Sequence, residues 1–466
     1  MSATAAAARR TPLPPGPRGR WPGQLPWQLV WRPLELLPRL AREYGDVSSI
    51  GTVRGTPIVF LAHPDDVRDV LVTNQKQFAK GRGIERTKLL LGEGLLTSEG
   101  PFHRRQRRLA QPAFHRDRIA AYGDVMGAYA SQRTEAWRPG AAIDVHREMM
   151  ALTLAIAGKT LFDADVESEA REIGEALTVA LESFHFALLP FSEYLEKVRF
   201  LPPVRRFAGA RARLDETVYR LIADRRRDVA AGRDRGDLLT MLVTARDTEG
   251  DGGGMSDLQL RDEAMTILLA GHETTANALT WTLYLLARNP EAEARLHAEI
   301  DAAAAEAAGR PFGAADLPRL TYARMVLAES MRLFPPAWAV SRRALGEYPV
   351  GDYVLPENSL VLVSQYVTHR DARWWPNPER FDPERWLPER AAERPKFAYF
   401  PFGGGTRICV GEPFAWMEGT LVLAELARRW RLRLAPGYEV EPQPLVTLRP
   451  RRGMPMVVEA RRPAAR

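Results

Sequence analysis

The chain has 466 residues, 45% of them apolar and 26% charged, a formal net charge of +7 and one cysteine. That composition belongs to a globular protein of one large domain or two to three ordinary ones. A lone thiol excludes an internal disulfide framework and a multi-cysteine zinc or iron–sulfur site. The positive balance carries no aromatic-interleaved basic motif, so it reads as an Arg- and Ala-rich composition and no nucleic-acid partner is expected.

Residues 1–26 are rich in Pro, Gly and Arg, notably Pro14-Pro15-Gly16-Pro17, and read as an extended lead-in, flexible at its start. Met1 to Arg10 has no apolar segment, and no later stretch reaches 18 uncharged apolar residues. Neither a signal peptide nor a membrane span is expected, which points to a cytoplasmic protein. Helical patterning starts near Pro33 and runs to Glu43. Strand patterns follow at Val47–Val53 and Pro57–Leu61, with Arg54-Gly55-Thr56 as the hairpin turn. From His63 to about Arg288 the chain reads mostly as helices, one opened by Pro101-Phe102-His103, with a loop at 192–203.

A Gly-rich linker at 245–256 ends in Ser256 and Gln259, a capping box ahead of an apolar periodic run. That helix should extend to Asn289-Pro290. A helix at Tyr322–Phe334 comes next, then short strands at Trp338–Arg342, Tyr353–Leu355 and Leu360–Gln365. An irregular stretch dense in Pro, Arg and Trp (369–397) precedes the cysteine loop. A helix at Pro413–Arg429 and a β-rich tail, with Val446–Arg449 and Pro455–Glu459, complete the chain. No repeat and no clean linker appear. The expectation is a mainly α protein with minor β: the lead-in 1–26, then a single large helical domain over 27–466.

The cysteine lies in Phe402-Gly403-Gly404-Gly405-Thr406-Arg407-Ile408-Cys409-Val410-Gly411. A structural cysteine in a glycine turn is one reading; a single axial thiolate on a haem iron is the other. The second explains the neighbours. Gly403, Gly404, Gly405 and Gly411 let a flat group approach the backbone. N–H groups at the start of the following helix can hydrogen-bond the sulfur. Arg407 offers a charged fork for a propionate, and Phe402 can pack beside the sulfur and restrict water.

This F-x-x-G-x-R-x-C-x-G run resembles the haem signature of the cytochrome P-450 superfamily. Three other stretches match in order: Ala270-Gly271-His272-Glu273-Thr274-Thr275, similar to the oxygen-activation motif of the long central helix; Glu329-Ser330-Met331-Arg332, similar to E-x-x-R; and Phe381-Asp382-Pro383-Glu384-Arg385-Trp386, similar to F-x-P-E-R-F. With the N-terminal helix–strand start, the resemblance covers nearly the whole chain. It implies the cytochrome P-450 fold, haem b held through Cys409, and a soluble bacterial-type monooxygenase.

In the long helix, Ala270 and Gly271 would lie against the cofactor. The Thr274 hydroxyl can leave the i−4 pattern and open the helix locally, and Glu273 would supply a proton by exchange with solvent. Glu329 and Arg332, three apart on one helix face, are implied to form a buried structural network with Arg385, chosen over Arg380 because Phe381 opens the family element. His103 and Arg107, four apart on one face, and Arg342 rather than Arg343, are implied propionate partners. His185, His272 and His369 read as packed or solvent-facing residues.

Walls for a lipophilic substrate (terpenoid, fatty acid or polyketide-like) are implied at Ile84–Leu96, Phe184–Phe191, Met265–Ala270, Ala337–Val340 and Val446–Thr447. No flavin or nucleotide segment is left over. Electrons are therefore expected from a ferredoxin or flavodoxin-type partner with its reductase, serving a monomer. A haem-thiolate peroxygenase or isomerase, and a non-enzymatic haem sensor, are the competing readings; intact Glu273-Thr274 weighs against the first, and the lack of a DNA-binding or signalling module, with substrate walls that a sensor would not need, weighs against the second.

Overall fold

The computed structural model describes residues 13–461 except 22, 54, 164–173, 175, 177, 178, 180–200 and 251. The expected Phe184–Phe191 wall, His185, Arg54 of the expected hairpin turn and most of the expected 192–203 loop lie outside the described residues. The chain divides into two compact units. One comprises Met1–Glu85, Trp338–Pro378 and Arg394–Ile408; the other comprises Arg86–Ala337, Glu379–Glu393 and Cys409–Arg466.

The first unit is built on a five-stranded sheet. Val47–Val53 pairs antiparallel with Thr56–Leu61, with Val53 opposite Thr56, in the hairpin that the strand patterns predict. The second of these strands runs parallel to Leu360–Val363; Val340–Ala344 and then Phe78–Lys80 continue the sheet antiparallel. Residues 57–61 are all buried, which explains an apolar run without alternation in a strand paired on both sides. The helix Pro33–Tyr44, with proline at its first turn, lays Leu36, Leu37 and Leu40 against Ile50, Ile58 and Phe60. A further helix, Gln24–Trp31, precedes it and begins inside the expected lead-in. It starts after Gly23 at φ +86° and buries Leu25. The lead-in is itself pinned to the sheet, the Ser49 N–H donating to the Pro15 carbonyl at 2.8 Å.

The second unit is helical around one long helix, Asp257–Arg288. Its capping box forms as expected: the Ser256 hydroxyl accepts from the Gln259 N–H and the Gln259 carbonyl oxygen accepts from the Ser256 N–H, at 3.3 and 2.8 Å. Residues 260–269 are buried without interruption, the mark of a helix surrounded by others. Trp281 stacks on Phe334 at 4.2 Å. The helix Glu412–Arg429 packs on Thr321–Leu333 so closely that a Cβ on Gly419 would lie 2.6 Å from a Leu327 methyl. Ala142–Asp144, Pro455–Ala460 and Trp430–Leu434 form a small antiparallel sheet.

Mainly α with minor β therefore describes both sequence and structure. Three boundaries move. The expected 84–96 loop is a helix, Arg82–Leu91, followed by a turn. The strand expected at Trp338–Arg342 is Val340–Ala344, and that at Val446–Arg449 is Leu448–Pro450.

Candidate active site

In the second unit, Cys409 stands just ahead of the helix Glu412–Arg429, whose N-cap is Gly411. Cys409 is exposed as a residue, but burial at its thiol pushes the pKa up. The N–H groups of Gly411 and Glu412 donate to the sulfur and, with the Arg107 cation, pull the other way. Arg107 is half-buried on the helix Gly100–Ala110, one turn beyond the buried His103. Burial lowers the Arg107 pKa and the Cys409 charge raises it, so the two groups act on each other.

The middle of the long helix breaks its own burial pattern. Ala270 is exposed and Gly271 and Thr274 are half-buried, between the buried runs 260–269 and 275–283. A Cβ at Gly271 would meet only a Leu161 methyl, at 3.9 Å. This leaves one strip of small groups on one helix face. The Thr274 hydroxyl donates to the Ala270 carbonyl at 2.7 Å, four residues back, and Thr275 does the same to Gly271 at 3.1 Å. Of the expected wall 265–270 only Ala270 is exposed; Met265 to Leu269 are core, because a helix packed on all sides offers no apolar face to spare.

Glu273, expected to exchange its proton with solvent, is buried. Burial raises its pKa, against the hydroxyl of Thr447, which donates to Glu273 Oε1 at 2.6 Å. Asn277 Nδ2 donates to Thr447 Oγ1 at 3.1 Å. Thr447, expected on a substrate wall, is thus a polar support. His272 is fully buried and pushed down to about 4, its Nδ1 3.0 Å from the Leu268 carbonyl.

Glu329, Arg332 and Arg385 come together. Glu329 and Arg332 are 0% exposed. Arg332 donates from Nε and Nη2 to the Glu329 carboxylate at 2.9 and 2.8 Å. Arg385 forms an ion pair with it at 3.3 Å. The Asp382 N–H and the Trp386 indole donate to the same carboxylate at 3.0 and 3.1 Å. Arg380, the rejected alternative, contributes only its carbonyl, to Arg332 Nη2.

In the first unit, Gly403 and Gly405 both have positive φ, and a Cβ at Gly405 would lie 2.1 Å from the Leu71 carbonyl. The Gln75 side chain accepts from the N–H and hydroxyl of Thr406 at 2.9 and 2.7 Å, fixing the loop. Phe402 and Arg407 are half-buried. Strand alternation separates the two arginines of Val340–Ala344: Arg343 reaches Asn358 at 3.1 Å and Glu85 at 3.7 Å, while Arg342 Nη1 donates to the Ser341 carbonyl. His369 is buried and its Nε2 accepts from the Phe400 N–H.

Three sets of residues escaped the sequence reading. Asp262 and Glu263 accept from the N–H groups of Glu93 and Leu95, at 2.7 and 3.0 Å, which ties the 93–95 turn to the long helix. Gln75 acts on Thr406, 331 residues away, and leaves no local signal; the sequence places Thr447 on a wall and gives no sign of its bond to Glu273, 174 residues away. Glu418 did leave one, as a lone acid in the apolar run of the cysteine helix; it is fully buried and pushed up to about 8 by desolvation.

A family profile for cytochrome P450 matches residues 14–455. Cyclooctatin synthase of Streptomyces melanosporofaciens is 43% identical over 92% of each chain. Cyclooctat-9-en-7-ol 5-monooxygenase of the same organism is 38% identical over 93% of this chain and 94% of its own. Pentalenene oxygenase of Streptomyces avermitilis is 35% identical over 96% and 98%. The chain belongs to the cytochrome P450 family and is a monooxygenase. The family implies a haem-iron cofactor, a redox partner and a small lipophilic substrate. No helix among the described residues is long and apolar enough to cross a membrane. The residues present fit a haem: a thiol already receiving two backbone N–H donors, a cation coupled to it, and a strip of small groups on a helix otherwise closed to contact.

Proposed function

We propose that this protein is a haem b-thiolate monooxygenase that hydroxylates a cyclic terpenoid, using electrons from a separate ferredoxin or flavodoxin-type protein. The observation that carries the reading is the Ala270–Gly271–Thr274 strip, exposed at Ala270 and half-buried at Gly271 and Thr274, on a buried helix. The terpenoid class is supported by the names of two relatives, pentalenene oxygenase and cyclooctat-9-en-7-ol 5-monooxygenase.

Cys409 would hold the haem iron through its sulfur. Burial and the Glu412 charge raise the Cys409 pKa, and the N–H donors of Gly411 and Glu412 with the Arg107 charge offset part of that rise; bound to iron, the sulfur would be the thiolate. When bound, the haem supplies oxygen binding and activation. His103 and Arg107 are assigned to propionates from one helix face; Arg342 and Arg407 carry the same role by the family resemblance alone. Thr274 keeps its proton on the Ala270 carbonyl, leaving its oxygen lone pairs open to accept a proton donor. Glu273, its pKa raised by burial, retains a proton more readily than a surface acid and is the proposed proton source; the Thr447 hydroxyl, which donates to Glu273 Oε1, holds its carboxyl in place.

The test incubates the haem-loaded enzyme with cyclic terpene hydrocarbons, labelled oxygen gas and a reduced ferredoxin. One labelled oxygen atom in the product is expected. Turnover with peroxide alone and none with the reduced partner would replace the monooxygenase reading by a peroxygenase. Cys409→Ala should abolish the red-shifted absorption band of the ferrous carbon-monoxide complex.

A further inference from the structure

The first unit presents three large aromatic side chains to solvent from one short segment. Trp21, Trp27 and Trp31 are 49, 46 and 47% exposed. Trp27 and Trp31 are four apart on the helix Gln24–Trp31 and share its outer face, while Leu25 on the inner face is buried. Trp is a poor choice for a bare surface and the preferred residue where one side is apolar and the other wet.

Charge in the same segment is one-sided. Residues 1–34 hold five arginines (9, 10, 18, 20 and 32) and no Asp or Glu, in a chain whose total net charge is +7. Arg18, Arg20 and Arg32 are exposed. Of these, Arg32 lies 3.6 Å from Glu35, itself well exposed. The face is held in place rather than loose: Ser49 binds the Pro15 carbonyl, and a Cβ on Gly16 would strike the Ser49 carbonyl at 2.0 Å. The Arg20 N–H donates to the Gln24 side chain at 2.6 Å.

We propose that this Trp and Arg face docks the protein on an anionic lipid surface. The indoles would enter the headgroup boundary and the guanidinium groups would pair with lipid phosphates. Such docking leaves the helix lying on the bilayer, not spanning it. An acidic protein is the competing occupant, since Trp and Arg also anchor protein interfaces; sedimentation with protein-free vesicles separates the two. The inference is independent of the substrate reading, since binding is measured without turnover.

The test uses the full-length, haem-loaded protein and sedimentation with vesicles. The wild type should sediment with phosphatidylcholine–phosphatidylglycerol vesicles and far less with phosphatidylcholine alone. Trp27→Ser with Trp31→Ser should weaken binding by at least roughly tenfold, through lost apolar burial. Arg18→Glu with Arg20→Glu should weaken it by roughly tenfold or more and remove the lipid-charge preference. Both pairs should keep the ferrous carbon-monoxide spectrum of the wild type. Wild-type protein that stays in solution, or variants that bind as well as it does, would overturn the proposal. So would a lipid-free dimer that the Trp pair abolishes, which would assign the face to a second copy, or RNA binding without vesicle binding.

Discussion

Two groups of buried acids in the helical unit are handled in opposite ways. Glu329 lies at 0% exposure beneath a full set of donors: the Arg332 fork, the Arg385 cation, a backbone N–H and an indole. Glu418 is as deeply buried, and the one hydroxyl beside it, on Thr275, donates to the Gly271 carbonyl and offsets only a little of the burial. Glu273 stands between them, with one hydroxyl donor. A buried carboxylate with enough partners is a charged structural hub. One without them stays protonated, because burial disfavours the charged form. Pairing, not depth, decides whether a buried acid in this protein is a brace or a neutral group.

The largest test of that contrast is Glu329→Ala. It strands Arg332 and Arg385 without their counter-charge and should cost about 3–5 kcal/mol in urea unfolding; a loss below about 1 kcal/mol would break the comparison at its charged end. At the other end, Glu418 titrates near 4.5 when unfolded and is pushed up to about 8 when folded. Its folded pKa is raised, so between those values the folded state holds a proton that the unfolded state has lost. Stability should fall by about 1.4 kcal/mol per pH unit across that window. Glu418→Gln should be more stable than wild type near neutral pH and lose this slope, as read by unfolding at several pH values; an unchanged slope would mean that Glu418 is charged in the fold.

Thr447→Val removes the donor to Glu273 and the acceptor of the buried Asn277 amide. A cost of about 2 kcal/mol is expected, together with a further rise in the Glu273 pKa, visible as an upward shift in the alkaline limb of the turnover profile. The smallest effect is Trp386→Phe. It deletes one of several donors to Glu329 and should cost about 1 kcal/mol by the same unfolding measurement. A larger loss than for Thr447→Val would show that the Glu329 hub has no redundancy.

Short-range features were legible in the sequence. The Ser256–Gln259 capping box and the Glu329–Arg332 pair each depend on residues three apart, so spacing suffices for the box and for the shared helix face, while the burial of the pair follows only from the family resemblance. The position of Phe381 separated Arg385 from Arg380, and Trp386, in the place of the family's Phe, turns out to donate to Glu329. What the sequence hid lies far apart along the chain: Thr447 with Glu273, Gln75 with Thr406, and Asp262 and Glu263 with the 93–95 turn. No periodicity encodes such pairs. The wall expected at Met265–Leu269 failed for another reason: a helix buried on every side has no apolar stripe to distinguish lining from core. The helix Gln24–Trp31 was overlooked because Pro-rich flanks masked an anchor that needs only one buried leucine.

The close approach at Gly419 has a practical consequence for hybrid proteins made by exchanging segments among relatives. The helix headed by Cys409 and the helix bearing Glu329 meet at Gly419, where a Cβ would force the Leu327 side chain to shift. A chimaera that takes one helix from a parent with alanine at that contact and the other from this chain would separate the pair at its tightest point. The two helices should be inherited together, as a single cassette, even though some eighty residues of sequence lie between them.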